Sequence, residues 1–214
     1  MNVVTPFCVG IGISDLSSCL PLARKIFSEN KHTFRDSGRN ITNFWYQTLN
    51  KHAINENYFS VSDVEELKSS ILEHGIEYLK QINWYIDFYE YEVTNLWLNE
   101  YKSDTYFQPP HSHPGFILSG TYYVDMPVNC NPIQFYSPFQ NLLPSVMFPK
   151  GNVINELNFK YNQFNSTSWM FHPKEGEVFF WPSNLSHSVD NSKFNGVRRS
   201  IAFDINTKSY KRGF

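Results

Sequence analysis

The 214 residues carry 18 Lys and Arg against 20 Asp and Glu, a formal net charge of −2, so no global field draws the chain to nucleic acid or to an anionic membrane. Charged residues are 18% of the chain, below the usual roughly 25%, while aromatics reach 17%, a bias that favours pleated, half-buried strands and supplies bulky pocket walls. No stretch approaches the roughly 20 apolar residues of a membrane span, and Met1–Pro6 lacks the basic and apolar regions of a signal peptide.

The three cysteines, Cys8, Cys19 and Cys130, are scattered and free of CxxC spacing, so they read as reduced thiols in a soluble, cytoplasmic protein. Val3 to Ile13, rich in Val, Ile and Gly, predicts a strand ending near Ser14. Asp15 is placed to cap a helix reaching about Glu29, with Leu16, Cys19, Leu20, Leu22, Ala23 and Ile26 as its buried stripe. Residues 30–60 are Asn-rich and punctuated by aromatics, which suggests loops and short helical turns. Ser62-Asp63-Val64-Glu65 forms a capping box, and the helix it opens runs to about Ile82. Val64, Leu67, Ile71, Leu79 and Ile82 recur there at helical spacing, with Gly75 as a small cost.

From Tyr91 the period changes. Glu92–Tyr101 alternates as a strand does, and short aromatic strands follow at Thr121–Asp125, Ile133–Tyr136, Val153–Phe159, Ser168–His172, Glu177–Trp181 and Val197–Asp204. Many short strands separated by turn residues indicate a sandwich or barrel. The expected architecture is mainly β with helices (α+β). An N-terminal helical layer (residues 1–90) packs on a C-terminal jelly roll (91–206) within a single domain, 1–214.

Chemistry concentrates in Gln108-Pro109-Pro110-His111-Ser112-His113-Pro114. On an extended strand, His111 and His113 project to one face and offer two corners of a metal coordination sphere. A third candidate, His187, follows Phe179-Phe180-Trp181-Pro182-Ser183, where an aromatic strand ends in a turn and a new strand begins. Eleven residues on (198 − 187), Arg198 and Ser200 share one strand face while Arg199 points away. A guanidinium fork beside a hydroxyl suits a carboxylate. His32, His52, His74 and His172 read as ordinary core or surface histidines, His172 being the one placed to line a pocket. The aromatic strands lack the interleaved Lys and Arg of a base-stacking surface.

These motifs carry a resemblance. His-x-His-Pro, then Ser-Gly-x-Tyr-Tyr-Val, then Phe-x-Trp-Pro-Ser-x-Leu-x-His-x-Val, then Arg-x-Ser-Ile-x-Phe, spread over roughly residues 95–206, resemble 2-oxoglutarate/Fe(II)-dependent oxygenases of marine bacteria and their phages, relatives of the prolyl hydroxylases. The resemblance implies a double-stranded β-helix (jelly roll, cupin-like) holding Fe(II), with 2-oxoglutarate and O2 as cosubstrates. By it, His111, His113 and His187 are the metal ligands and the catalytic centre. Arg198 grips the far carboxylate of 2-oxoglutarate, assisted by Ser200 and one of Tyr122 or Tyr123. The superfamily's usual order is His-x-Asp/Glu followed by a distal His, so His113 stands where a carboxylate is usual; Asp125 is an alternative carboxylate that would have to curl back past a whole strand.

The expected reaction hydroxylates a small-molecule or peptidyl substrate while 2-oxoglutarate is decarboxylated to succinate. Two rival readings stand beside it. One is a cupin-like three-His metalloenzyme that does not use 2-oxoglutarate; the other is a jelly-roll binding module without catalysis. Cupins typically add a Glu soon after the His-x-His, and residues 114–124 contain none. Substrate identity and oligomeric state have no signature in the chain.

Overall fold

Period-two alternation along residues 89–102, 118–125, 177–182 and 197–210 builds the larger of two antiparallel sheets. The computed structural model describes residues 8–29, 35–36, 41–47, 61–84, 86–102, 108–139, 162, 166–189 and 194–211. The strands are β1 (Gly12–Asp15), β2 (Arg35–Asp36), β3 (Ile41–Gln47), β4 (Tyr89–Lys102), β5 (Gln108–His111), β6 (Leu118–Asp125), β7 (Ile133–Tyr136), β8 (Ser168–Phe171), β9 (Glu177–Pro182), β10 (His187–Val189) and β11 (Val197–Tyr210). Two helices, α1 (Leu20–Glu29) and α2 (Val61–Gln81), precede most of them. Strands β1-β9-β6-β11-β4-β3-β2 form a seven-stranded sheet, and β5-β10-β7-β8 a four-stranded one. Among the described residues no helix is long and apolar enough to cross a membrane.

The two faces of the large sheet have different tasks. One face carries Leu96, Leu98, Tyr122, Val124, Phe180, Ile201, Phe203 and Ile205, and packs against Ala23, Ile26 and Phe27 of α1 and Leu67, Ile71 and Leu79 of α2. Each such side chain removed from water contributes about 1.5–3 kcal/mol, so this layer is a principal source of stability. Gly75 has a packing reason in α2, because a Cβ at that position would lie 2.7 Å from Ile205 Cδ1. A side chain there would press on the flexible end of Ile205, which would have to shift. The other face carries Tyr123, Phe179 and Trp181, which pack with Ile133, Phe135 and Leu185 from the smaller sheet's side. That inter-sheet layer also receives Arg198, Ser200 and Asp204 of β11.

Most predicted elements are present with shifted ends. Residues 41–47, expected as loop, are strand β3, paired from Ile41↔Tyr101 to Gln47↔Asn95. Ile41, Phe44, Trp45 and Tyr46 are strand formers, and the edge of β4 supplies the hydrogen-bonding partner that the surrounding Asn-rich composition obscures. Asp15 does not cap α1 directly. Its Oδ1 accepts from Ser17 N at 2.9 Å and starts a 3-10 turn, Ser17–Cys19, that leads into the helix. The predicted strand Val153–Phe159 lies outside the described residues, as do His32 and His52.

Candidate metal centre

His111 closes β5 and His187 opens β10, and the two are direct partners across that antiparallel pair. Their rings lie 4.3 Å apart, centroid to centroid. His113 is not on a strand. The expectation that positions 111 and 113 share a strand face fails in its detail, since β5 ends at His111 and the chain turns at Pro114 and Gly115. His113 is instead held by its backbone N–H, which donates to Ser183 O at 2.8 Å. Its ring still falls 5.2 Å from that of His111 and 5.3 Å from that of His187. One nitrogen from each of the three lies within 4.8 Å of the others. Imidazole nitrogen binds a divalent ion at about 2.0–2.1 Å, and a cluster of this spread could hold one ion.

The tautomers are set by what each Nδ1 meets. His111 Nδ1 is 2.9 Å from Pro109 O, and His187 Nδ1 is 3.0 Å from Leu185 O. A carbonyl can only accept, so both Nδ1 atoms carry hydrogen and both Nε2 lone pairs are free. His113 Nδ1 donates to a carboxylate, Asp204 Oδ1, at 2.7 Å. Burial pushes His187 down to about 3, reinforced by neighbouring His111; His111 is lowered by burial too. Both rings are therefore neutral and ready to ligate near pH 7. Such a donor set fits Fe(II), and equally other divalent first-row metals.

Strand β11 supplies the other half of the site. Ile201, Phe203 and Ile205 face the helices, so Arg198, Ser200, Ala202 and Asp204 face the inter-sheet layer. Arg198 is 1% exposed. Its guanidinium lies over the rings of Tyr101 (4.6 Å) and Tyr123 (5.4 Å), yet Nε and Nη1 have no hydrogen-bond partner among the described residues. The Tyr123 hydroxyl is likewise buried and unpartnered among them. A buried cation with two idle donors is costly unless an anion meets it, so the pair fits the carboxylate of a cosubstrate. Ser200, also buried, lies opposite Tyr123 on the neighbouring strand.

Tyr122 is not part of this group. It faces the helices, and its hydroxyl donates to Leu16 O at 3.0 Å. Alternation along β6 makes this unavoidable: if Tyr123 faces the cleft, Tyr122 cannot. Asp125 is also elsewhere, accepting from Arg24 Nε and Arg199 Nη1, each at 2.9 Å. Arg199 points away from Arg198, and its Nε reaches Glu100 at 2.9 Å. His172 is exposed, and His74 pairs with Ser14 Oγ at 2.6 Å on the helical side. The motif reading missed Asp204, Ser119 and Asn95. Asp204 Oδ1 accepts from Ser119 Oγ at 2.6 Å, and Oδ2 accepts from Asn95 Nδ2 at 3.1 Å. The period-two count that pairs Arg198 with Ser200 reaches Asp204 two steps later and could have found it.

A two-sheet β fold with a three-imidazole cluster at its mouth and a buried, idle Arg on the strand after the distal His is the double-stranded β-helix of 2-oxoglutarate oxygenases. Residues 95–204 match the family described as "Putative 2OG-Fe(II) oxygenase", and the chain belongs to that family. In structure it is similar to a Pseudomonas putida prolyl-4-hydroxylase (TM-score 0.59, 7% identity, covering 94% of each chain). It is similar also to an oxidoreductase of the 2OG-Fe(II) oxygenase family from Burkholderia pseudomallei (0.57, 13%, covering 92% of this chain and 84% of that one). A third is HygX of Streptomyces hygroscopicus, a structure with nickel and 2-oxoglutarate bound (0.56, 11%, 92% and 83%). At these identities the likeness is one of fold. No protein of curated function matches the chain by sequence.

Proposed function

We propose that this protein is an Fe(II)- and 2-oxoglutarate-dependent hydroxylase. The observation that carries the reading is Arg198, a buried guanidinium with two donors unpartnered among the described residues, in the same inter-sheet layer as three imidazoles. When bound, iron with 2-oxoglutarate and O2 supplies oxidative decarboxylation to succinate and CO2 coupled to oxygen insertion into a substrate C–H bond.

The chain's own part is binding, orientation and exclusion of water. His111, His113 and His187 would hold the ion through Nε2. Arg198 takes the distal carboxylate of 2-oxoglutarate through charge-assisted hydrogen bonds, with Ser200 and the Tyr123 hydroxyl as further partners. Trp97 beside His113, and Trp181 and Phe135 beside His187, form apolar walls that keep water from the ligating nitrogens.

The test is incubation with Fe(II), ascorbate and 2-oxoglutarate, with Arg198→Ala as control. Slow succinate formation by the wild type that the variant lacks is the expected result. Protein that holds metal yet neither binds nor turns over 2-oxoglutarate would overturn the reading.

A further inference from the structure

Three imidazoles and no carboxylate leave the metal's immediate surroundings one negative charge short of the two-His, one-carboxylate arrangement common to non-haem iron oxygenases. The three histidines are not equivalent behind the metal. His111 and His187 donate Nδ1–H to backbone carbonyls, which are neutral. His113, the residue in the carboxylate's usual place, donates to Asp204 at 2.7 Å. Asp204 is 2% exposed and has three hydrogen-bonding neighbours in His113, Ser119 and Asn95.

We propose that Asp204 is a positioning residue that returns the missing charge to the metal centre through His113, acting one hydrogen bond behind the ligand rather than on the ion. Resting on the three-imidazole reading above, this concerns how that site holds its metal. A carboxylate behind a ligating imidazole fixes the tautomer, orients the ring and raises its basicity. Asp204 fixes the tautomer and orients the ring of His113, which lacks the strand backbone that orients His111 and His187. The site thus keeps the charge balance of the carboxylate arrangement with a longer reach, from β11 across to the loop after β5. The bland alternative is that Asp204 merely ties β4, β6 and β11 together through Asn95 and Ser119.

Binding of Co(II), followed by its visible absorption and by competition with a chelator, separates these, using wild type, His187→Ala, Asp204→Asn and the swap Asn95→Asp/Asp204→Asn. In the swap, a carboxylate at position 95 accepts from an amide at position 204, so the tie between β4 and β11 is rebuilt while the partner of His113 becomes neutral. Wild type should bind and His187→Ala should not. Asp204→Asn should weaken Co(II) binding about 10- to 100-fold and shift the Co(II) spectrum. The swap should recover the melting temperature of the metal-free protein, yet bind Co(II) as weakly as Asp204→Asn and raise the Fe(III)/Fe(II) potential. If Asp204→Asn folds poorly, the swap alone decides. A swap variant with wild-type affinity and potential overturns the role given to Asp204 and leaves the three-His site standing. Equal binding by His187→Ala and wild type overturns both.

Discussion

Arg198 and Asp204 share one face of β11, six residues apart (204 − 198), with Asp204 bonded to a candidate metal ligand and Arg198 buried with Nε and Nη1 unpartnered among the described residues. One strand therefore carries the charged groups for both ends of the cleft, positive at one and negative at the other. Reaction geometry would be fixed by the strand itself, which is paired on both sides over residues 199–205.

Because the Arg198 guanidinium is buried and two of its donors are unpartnered among the described residues, it should cost stability until ligand arrives. Arg198→Met should abolish detectable 2-oxoglutarate binding, weakening it at least about 30-fold, or about 2 kcal/mol. It should leave metal binding intact and hold or raise the unfolding midpoint of the ligand-free protein. Isothermal titration and urea unfolding check the two halves.

The adjacent tyrosines should behave as opposites. Tyr122→Phe removes a buried hydrogen bond to Leu16 O, costs about 1 kcal/mol of stability, and leaves 2-oxoglutarate affinity unchanged. Tyr123→Phe removes a hydroxyl with no protein partner among the described residues, so the ligand-free fold should lose nothing while 2-oxoglutarate binds more weakly. Melting temperatures and ligand titrations of both variants test the pair.

Acid should destabilise the metal-free protein through His187. Its folded value, about 3, lies below the ordinary 6.5. Between those values the unfolded chain binds a proton the folded chain refuses, so stability is full above about pH 6.5 and falls as pH drops toward 3. At pH 5 the loss is roughly 2 kcal/mol, at about 1.4 per unit. The difference in urea unfolding free energy between pH 7 and pH 5 should shrink by that amount in His187→Gln.

Metal should stabilise only the intact triad. At 100 times its dissociation constant, a bound divalent ion adds about 2.7 kcal/mol to wild type, and a chelator removes it. His111→Ala and His187→Ala should show no such rise, measured by thermal unfolding with and without Co(II).

Local pattern was sufficient for much of this. The alternation of β4, β6, β9 and β11 and the apolar stripes of α1 and α2 are short-range signals read from residues a few positions apart, while the His-x-His, distal His and Arg series was legible as an ordered set of short motifs. Strand β3 escaped because its composition is mixed and its reason to be extended is a partner, β4, some fifty residues along the chain.

The amino-acid order by itself determined which side chains alternate, and hence that Arg198 and Ser200 face together while Arg199 does not. It did not determine which of Tyr122 and Tyr123 meets the cleft, nor that the buried Asp204 stands behind His113. Those were decided by how β11, β6 and the loop after β5 come together in space. Alternation fixes faces only relative to one another, and the packing of helices on one side of the sheet decides which face is left for chemistry.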